Sequence, residues 1–157
     1  MARQDWAEIS DEKAARRLGE RLGVVFDAPA VATRGGDEGA FALAGEEAWV
    51  ALLLERKHGH PVENVLQFWP WLERNRRRLV LVHAIAPDAR RRTGSRADLT
   101  VWLGAMMERV LRGRFAYCRV DLGSATEGPQ LDAARAAIEA LRQPLEGRGL
   151  LGNNPGT

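Results

Sequence analysis

The spacing of apolar positions changes several times along this chain, and each change predicts a new element. Residues 10–23 start with a capping Ser10 and carry an apolar stripe at helical spacing, which predicts a first helix. GAFALAG and AWVALLLERK then flank residues 45–47, a pattern typical of a β-hairpin. The second of these strands is apolar on both faces and is therefore expected at the centre of a sheet.

The second half of the chain alternates helical and strand-like segments. Pro61 begins a predicted helix that runs to about Asn75 and is kinked at Pro70. RLVLVHAIA predicts a strand, PDARRRTGSR a loop, RFAYCRVDLG another strand, and GPQLDAARAAIEALRQPLEG a final helix. Between the last two strands, RADLTVWLGAMMERVLRG predicts a helix with these side chains facing inward: Leu99, Trp102, Leu103, Met106, Val110 and Leu111.

This order of elements indicates an α/β domain with a central mixed β-sheet flanked by α-helices. The hairpin requires antiparallel pairing, whereas the later connections through helices favour parallel pairing. VVFDAPAVATR is either an edge strand or a bent connection, because Pro29 interrupts it. The length of 157 residues predicts one domain, residues 1–148, followed by a flexible tail, residues 149–157.

Composition bears on the cellular location of the protein and on the state of its cysteine. No apolar stretch is long enough to span a bilayer, and MARQDWAEIS lacks the apolar region of a signal peptide, so we expect a cytoplasmic protein without a membrane partner. Cys118 is the one cysteine, and its place in an apolar strand predicts a buried structural thiol.

Arginine supplies nearly all of the positive charge, with 21 arginines against two lysines. Two arginine clusters stand out, one around Arg76 and Arg77 and one around Arg90 and Arg91. Such clusters suit contact with nucleic-acid phosphates, and solvated loops in an arginine-rich chain are an equal alternative.

The central strand ends on Glu55, Arg56 and Lys57, and this ending predicts a chemical site. Side chains alternate along a strand, so Glu55 and Lys57 share a face. The hairpin brings an acid from its first strand to that face. If Gly36 lies opposite Glu55 the acid is Glu38, and if the register shifts by one residue it is Asp37.

Two carboxylates at a sheet edge suit a hard cation such as Mg²⁺ (or Mn²⁺). A water bound to that metal is a nucleophile for phosphodiester hydrolysis, and a nearby amine such as Lys57 stabilises charge on the phosphate. The competing interpretation of Glu55 and Lys57 is a salt bridge at a strand end, which contributes little to stability.

These residues resemble the core of the PD-(D/E)XK, restriction-endonuclease-like nuclease superfamily. The resemblance rests on an acid in one strand, Glu55-x-Lys57 in its hairpin partner, a following helix and the strand RLVLVHAI. Gln67 and Trp71 are similar to the Gln-x-x-x-Tyr element of RecB-type members. No Pro-Asp pair precedes the hairpin, and Arg56 stands where the superfamily commonly has an apolar residue.

The resemblance implies a Mg²⁺-dependent endonuclease, a hydrolase that binds and cleaves DNA. It implies Asp37 or Glu38 as a metal ligand together with Glu55, and Lys57 as the residue serving the water. Glu20 is favoured over Glu12 as a third acid from the first helix. The alternative is a catalytically inactive module of this fold that binds nucleic acid or a protein partner, and a homodimer stays open.

The remaining candidates concern substrate contact. His58 and His60 follow Lys57 and are expected to contact phosphate or to act as a general acid, in preference to a transition-metal site. Gln67 is expected beside the catalytic residues and Trp71 beside the DNA, with an exposed polar residue and a core aromatic as the alternative. His83 lies in an apolar strand and is expected to be a hydrogen-bonded structural histidine.

Overall fold

The computed structural model describes residues 6, 9–26, 39–43, 48–56, 60–74, 77–93 and 95–143, with backbone alone at 39–43, 92, 93 and 95. In these ranges the chain forms six helices and four strands. They are, in order: α1 Asp11–Leu22, β1 Gly39–Leu43, β2 Ala48–Glu55, α2 Pro61–Leu66, α3 Phe68–Arg74, β3 Arg78–Ile85, α4 Pro87–Thr93, α5 Ser95–Leu111, β4 Phe115–Asp121 and α6 Glu127–Arg142.

The predicted first helix is confirmed as α1. The Ser10 hydroxyl oxygen accepts the Lys13 backbone N–H at 3.2 Å, which satisfies one of the free donors of the first turn. Gly23 ends the helix with φ at 72°, the left-handed conformation that glycine adopts without strain. After it, residues 24–26 are irregular, and the rest of VVFDAPAVATR lies outside the described residues.

The strands lie in the order β1-β2-β3-β4. β2, β3 and β4 form a parallel three-stranded sheet, and β1 runs antiparallel along the outer edge of β2. Helices connect the parallel strands, so the α/β class is confirmed. Gly39 pairs with Leu53, which is the second of the two predicted hairpin registers. Asp37 and Glu38 lie outside the described residues, as do residues 45–47 of the predicted turn.

Helices cover both faces of the sheet. Along β2, Val50 and Leu52 pack in one core cluster with α1 and α6, and Ala51 and Leu53 pack in the other with α2, α3 and α5. Because side chains alternate, Glu55 shares its face with Ala51 and Leu53. The Glu55 side chain, at the end of the central strand, is therefore directed into the layer formed by α2, α3 and α5.

Helices α1 and α6 are joined at the carboxyl end of α1. Arg135 donates through Nε to the Arg21 carbonyl at 3.0 Å, and Arg142 donates to the Gly23 carbonyl at 2.8 Å. Backbone carbonyls at a helix end have no partner within the helix, and arginine side chains of α6 satisfy these two.

The predicted helix after Pro61 is divided into α2 and α3 at Gln67. Pro70 has no N–H to donate to the carbonyl of Leu66, and its ring crowds that carbonyl, so the break lies one turn before the proline. The loop predicted for PDARRRTGSR was wrong, because residues 87–93 form α4. Pro87 at the first position and Asp88 in the first turn both favour a helix start.

The predicted inward face of α5 was wrong at three positions. Leu99, Trp102 and Val110 are exposed at 53%, 63% and 58%. The helix is apolar around most of its circumference, so periodicity alone does not select the buried face. The buried side instead carries these residues: Ala97, Thr100, Gly104, Met107 and Leu111.

Cys118 is half-buried on β4 and free. Burial, with a smaller contribution from the Glu108 carboxylate, raises the pKa of its thiol from 9.0 to about 11. A structural rather than a reactive thiol is in line with this environment.

The reactivity of Cys118 should therefore be low. Raising the thiol pKa from 9.0 to about 11 lowers the thiolate fraction at pH 8 by about 100-fold, so alkylation by iodoacetamide should be slower by at least that factor than in the urea-unfolded chain. The protonated thiol favours the folded state up to pH 9, and that contribution is lost as the pH rises towards 11. Equal alkylation rates in folded and unfolded protein would contradict this environment.

None of the helices in the described ranges is long and apolar enough to cross a bilayer.

Candidate functional site

Glu55 places a carboxylate inside the protein at the end of the central strand. The residue is only 1% exposed. Its Oε1 accepts a hydrogen bond from Asn64 Nδ2 at 2.8 Å and lies 3.2 Å from His83 Nε2. Burying a carboxylate is unfavourable unless it is paired or hydrogen-bonded, and these two side chains supply that pairing.

The sheet register and the start of α2 bring the three side chains together. β2 and β3 are parallel, with Leu53 opposite His83 and Glu55 opposite Ile85, so His83 and Glu55 lie diagonally on one face. Pro61 begins α2 shortly after β2 ends, and Asn64 on that helix faces back towards the strand end. His83 is hydrogen-bonded and 0% exposed, as predicted for a structural histidine.

A line of hydrogen bonds continues from His83 across the sheet. His83 Nδ1 lies 2.8 Å from the Tyr117 hydroxyl, which lies 2.8 Å from Thr100 Oγ1. Thr100 donates to the Ala97 carbonyl at 2.5 Å. Burial raises the pKa of Tyr117 well above its usual range, so its hydroxyl keeps its proton at neutral pH. The line joins β2, β3, β4 and α5.

Counting protons in this line fixes the charge of the Glu55–His83 pair. Four contacts run from Glu55 Oε1 to the Ala97 carbonyl, and each hydrogen bond requires one proton. Thr100 and Tyr117 supply one each, so the imidazole and carboxyl groups must together hold two. Either an imidazolium faces a carboxylate or a neutral imidazole faces a carboxylic acid, and the pair has no net charge in both cases. A neutral pair is the arrangement that burial favours.

The second carboxyl oxygen, Glu55 Oε2, is buried and has no hydrogen-bond partner among the described residues. An unpaired buried acceptor costs about 1–3 kcal/mol, and more when it is charged. A cation or a donor would satisfy this oxygen, so Glu55 fits the role of one oxygen ligand of a hard metal ion.

The structure places the other predicted residues as follows. Five of them lie outside the described residues: Asp37, Glu38, Lys57, His58 and Arg76. Glu20 is exposed on α1, whose buried side chains pack on the face of the sheet opposite Glu55. No described contact brings Glu20 to Glu55. His60 is exposed and directly precedes α2.

Trp71 packs at the other end of β2 from Glu55, and no described contact joins Gln67 to Glu55. Gln67 ends α2 and is half-buried. The ring of Trp71 packs edge-on against Trp49 at the start of β2, with centroids 6.5 Å apart. Trp49 precedes Glu55 by six residues along β2, at about 3.3 Å for each residue. The amide that contacts the carboxylate belongs to Asn64, one turn earlier in the chain.

The arginine clusters behave differently from each other. Arg77 stacks on the Trp49 ring, 5.4 Å from its centroid, at the start of β2. Arg90 and Arg91 belong to α4 and line a cavity of about 500 Å³ at the carboxyl edge of the parallel strands. This is the edge at which Glu55 ends β2, and the Ala86 N–H, also at the cavity, donates to the Glu55 carbonyl at 2.8 Å.

Sequence reasoning missed Asn64, Tyr117 and Thr100. His83 and Tyr117 occupy positions of β3 and β4 whose side chains face the same helical layer. The alternation of side chains in the two strands could therefore have indicated a contact between them. No pattern in the sequence indicates the contact of Thr100, because its position depends on the rotation of α5. Within the described residues, no three His, Cys, Asp or Glu side chains lie together as a metal-binding group.

No protein-family model, curated protein or solved structure matches this chain.

Proposed function

We propose that this protein is a Mg²⁺-dependent hydrolase that cleaves phosphodiester bonds in DNA. The observation that carries the proposal is Glu55, a carboxylate 1% exposed at the end of the central strand, with Oε1 hydrogen-bonded and Oε2 unpartnered among the described residues. A ligand held in one orientation before the metal arrives loses little freedom on binding it.

We further propose a restriction-endonuclease-like core. Its support is the order of elements around Glu55: a strand antiparallel to β2, Glu55 at the end of β2, two helices, and β3 parallel to β2. This is the arrangement in which the resemblance to the PD-(D/E)XK superfamily places the acid of its E-x-K motif.

Each group has a defined part in the proposed reaction. When bound, Mg²⁺ polarises the phosphate and lowers the pKa of a coordinated water. Glu55 Oε2 would hold the metal with Asp37 or Glu38, and Asn64 and His83 keep Oε1 in place. The Lys57 ammonium stabilises charge on the phosphate, and Arg90 and Arg91, at the same edge of the sheet, contact neighbouring phosphates.

Glu55→Gln tests the proposal directly. The amide has nearly the same volume as the carboxylate and loses the negative charge, so Mg²⁺-dependent cleavage of plasmid DNA should fall by at least about 100-fold. The matched control is Glu63→Gln, an exposed carboxylate on α2, which should cleave like the wild type. Lys57→Ala should also abolish cleavage without lowering the thermal midpoint. Turnover that survives in both Glu55→Gln and Lys57→Ala would refute the assignment.

A second candidate function is binding of nucleic acid without catalysis. The cavity lined by Arg90 and Arg91 favours it, because that cavity offers phosphate contacts that need no metal. This alternative predicts DNA binding that weakens steeply with salt, unchanged by Glu55→Gln, and no cleavage with Mg²⁺ or Mn²⁺.

A further inference from the structure

The cavity beside α4 has the position and size of a small-ligand site. It lies outside the carboxyl ends of the parallel strands, where ligands bind in open α/β sheets. Its walls come from the residue after β2, from α4, from the loop that contains Gly123 after β4, and from Trp6. Its volume of about 500 Å³ falls within the range of roughly 300–1,000 Å³ common for ligand pockets.

The charged side chains lining this cavity are mainly positive. Three arginines, Arg56, Arg90 and Arg91, line it against one carboxylate, Asp88. Arg56 is held by the carbonyls of Trp6 and Ile9 and by Asp11, whose Oδ1 accepts at 2.7 Å. Arg91 pairs with Asp88 in an exposed contact, which is weak and readily exchanged for another anion.

Among the described residues, none accepts a hydrogen bond from the Arg90 guanidinium. Its ion-pair partner is Asp121, with Nη1 and Oδ1 3.7 Å apart, too far for a hydrogen bond. Both Asp121 oxygens already accept closer donors, Oδ1 from Arg119 at 3.0 Å and Oδ2 from Gln130 at 3.1 Å. The Arg90 side chain is 32% exposed, so its guanidinium can reach a ligand in the cavity.

We propose that this cavity binds the phosphomonoester group of a nucleotide, either as a free mononucleotide or at the end of a strand. A phosphomonoester carries a charge of about −1.5 to −2 at pH 7, which suits the guanidinium groups of Arg90 and Arg91, because their contacts with Asp121 at 3.7 Å and with the exposed Asp88 are weak. A phosphodiester within a strand carries a single negative charge and continues on both sides, so a cavity of limited volume suits it less. Arg90 donates to the phosphate oxygens in the geometry that guanidinium groups favour. Assigning the phosphomonoester to a nucleotide rests on the proposed action on DNA, whereas phosphate binding itself does not require the metal site, because Glu55 does not line the cavity.

Isothermal titration of the full chain with inorganic phosphate, a deoxynucleoside 5′-monophosphate, and one oligonucleotide with and without a 5′-phosphate tests the proposal. The monophosphate should bind, and Arg90→Gln should weaken its binding by roughly tenfold or more through loss of charge-assisted hydrogen bonds. Arg109→Gln, an exposed arginine on α5 outside the cavity, is the matched control and should bind as the wild type does.

Asp88→Asn is a second variant, and its expected effect on the affinity for the monophosphate is opposite to that of Arg90→Gln. It removes the one carboxylate that lines the cavity, so the monophosphate should bind about two- to fivefold more tightly. If inorganic phosphate and the mononucleotide bind equally well, the site recognises the phosphate alone. Preference for the 5′-phosphorylated oligonucleotide over its unphosphorylated form would identify a strand end as the source.

A further comparison distinguishes phosphate binding in the cavity from the proposed cleavage of DNA. Glu55→Gln should bind the monophosphate normally even where it has lost DNA cleavage. The proposal fails if no phosphomonoester binds at millimolar concentration, or if Arg90→Gln and Asp88→Asn both bind it as tightly as the wild type.

Discussion

His83→Leu should lower the free energy of unfolding by about 3–5 kcal/mol, because it leaves the buried carboxylate of Glu55 without its charged or proton-bearing partner. The leucine has a volume similar to that of histidine, so the loss reports on the pair rather than on a cavity. Urea unfolding at neutral pH measures it.

The double variant Glu55→Leu with His83→Leu is the decisive comparison. Removing both members of a buried pair leaves no isolated charge, so this variant should recover most of the stability that His83→Leu loses. Tyr117 keeps Thr100 as a partner in it. If the double variant is no more stable than His83→Leu, the Glu55–His83 contact does not compensate the charge. Because Glu55 is also the proposed metal ligand, the double variant should be stable and without cleavage activity.

Gly104→Ala should destabilise the protein by about 1–3 kcal/mol or more, although alanine is the better helix former. Gly104 lies in the middle of α5, where helix propensity alone predicts a gain of about 1 kcal/mol. A Cβ at this position would lie 2.4 Å from Cγ and 2.6 Å from Cδ1 of Tyr117. The Tyr117 ring or the helix must therefore shift, which disturbs the contact of Tyr117 with His83.

Gly128→Ala is the matched control for this substitution. Gly128 lies in the first turn of α6, and a Cβ there meets nothing within 4 Å. Its stability should stay equal or rise by up to about 1 kcal/mol. Equal unfolding midpoints for the two variants would contradict the close packing of α5 on Tyr117.

The sequence predicted the elements of this fold better than the contacts between them. Strong periodicity located α1, β2, β3 and β4, because long apolar runs and helix caps are local signals. Periodicity does not give the rotation of α5, because nearly every side of that helix is apolar, whereas the buried face depends on contacts such as that of Gly104 with Tyr117. Similarly, the arginine-rich composition of residues 87–93 predicts a loop, although Pro87 and Asp88 favour the helix start that the structure shows.

The candidate site also contains one residue that the sequence indicates and partners that it does not. Glu55 stood out because a charge ends an otherwise apolar strand, which is visible in the sequence alone. Its partners Asn64 and His83 depend on where α2 begins and on how β2 and β3 align, and neither is a local property. Asn64 contacts Glu55 because α2 begins at Pro61 and its first turn faces the strand end, whereas the role of Gln67 stays a prediction. Asp37, Glu38 and Lys57 lie outside the described residues, so their roles stay predictions.

The arginines that join α6 to α1 bear on the order in which a newly made chain can complete its fold. The carbonyls of Arg21 and Gly23 are synthesised before their donors, Arg135 and Arg142, which follow 114 and 119 residues later. Synthesis proceeds from the N-terminus, so α1 leaves the ribosome long before its carboxyl end can be satisfied. Until α6 emerges, water must solvate those carbonyls and one face of the sheet lacks its second helix. The carboxyl end of α1 is thus completed only when α6 has been made.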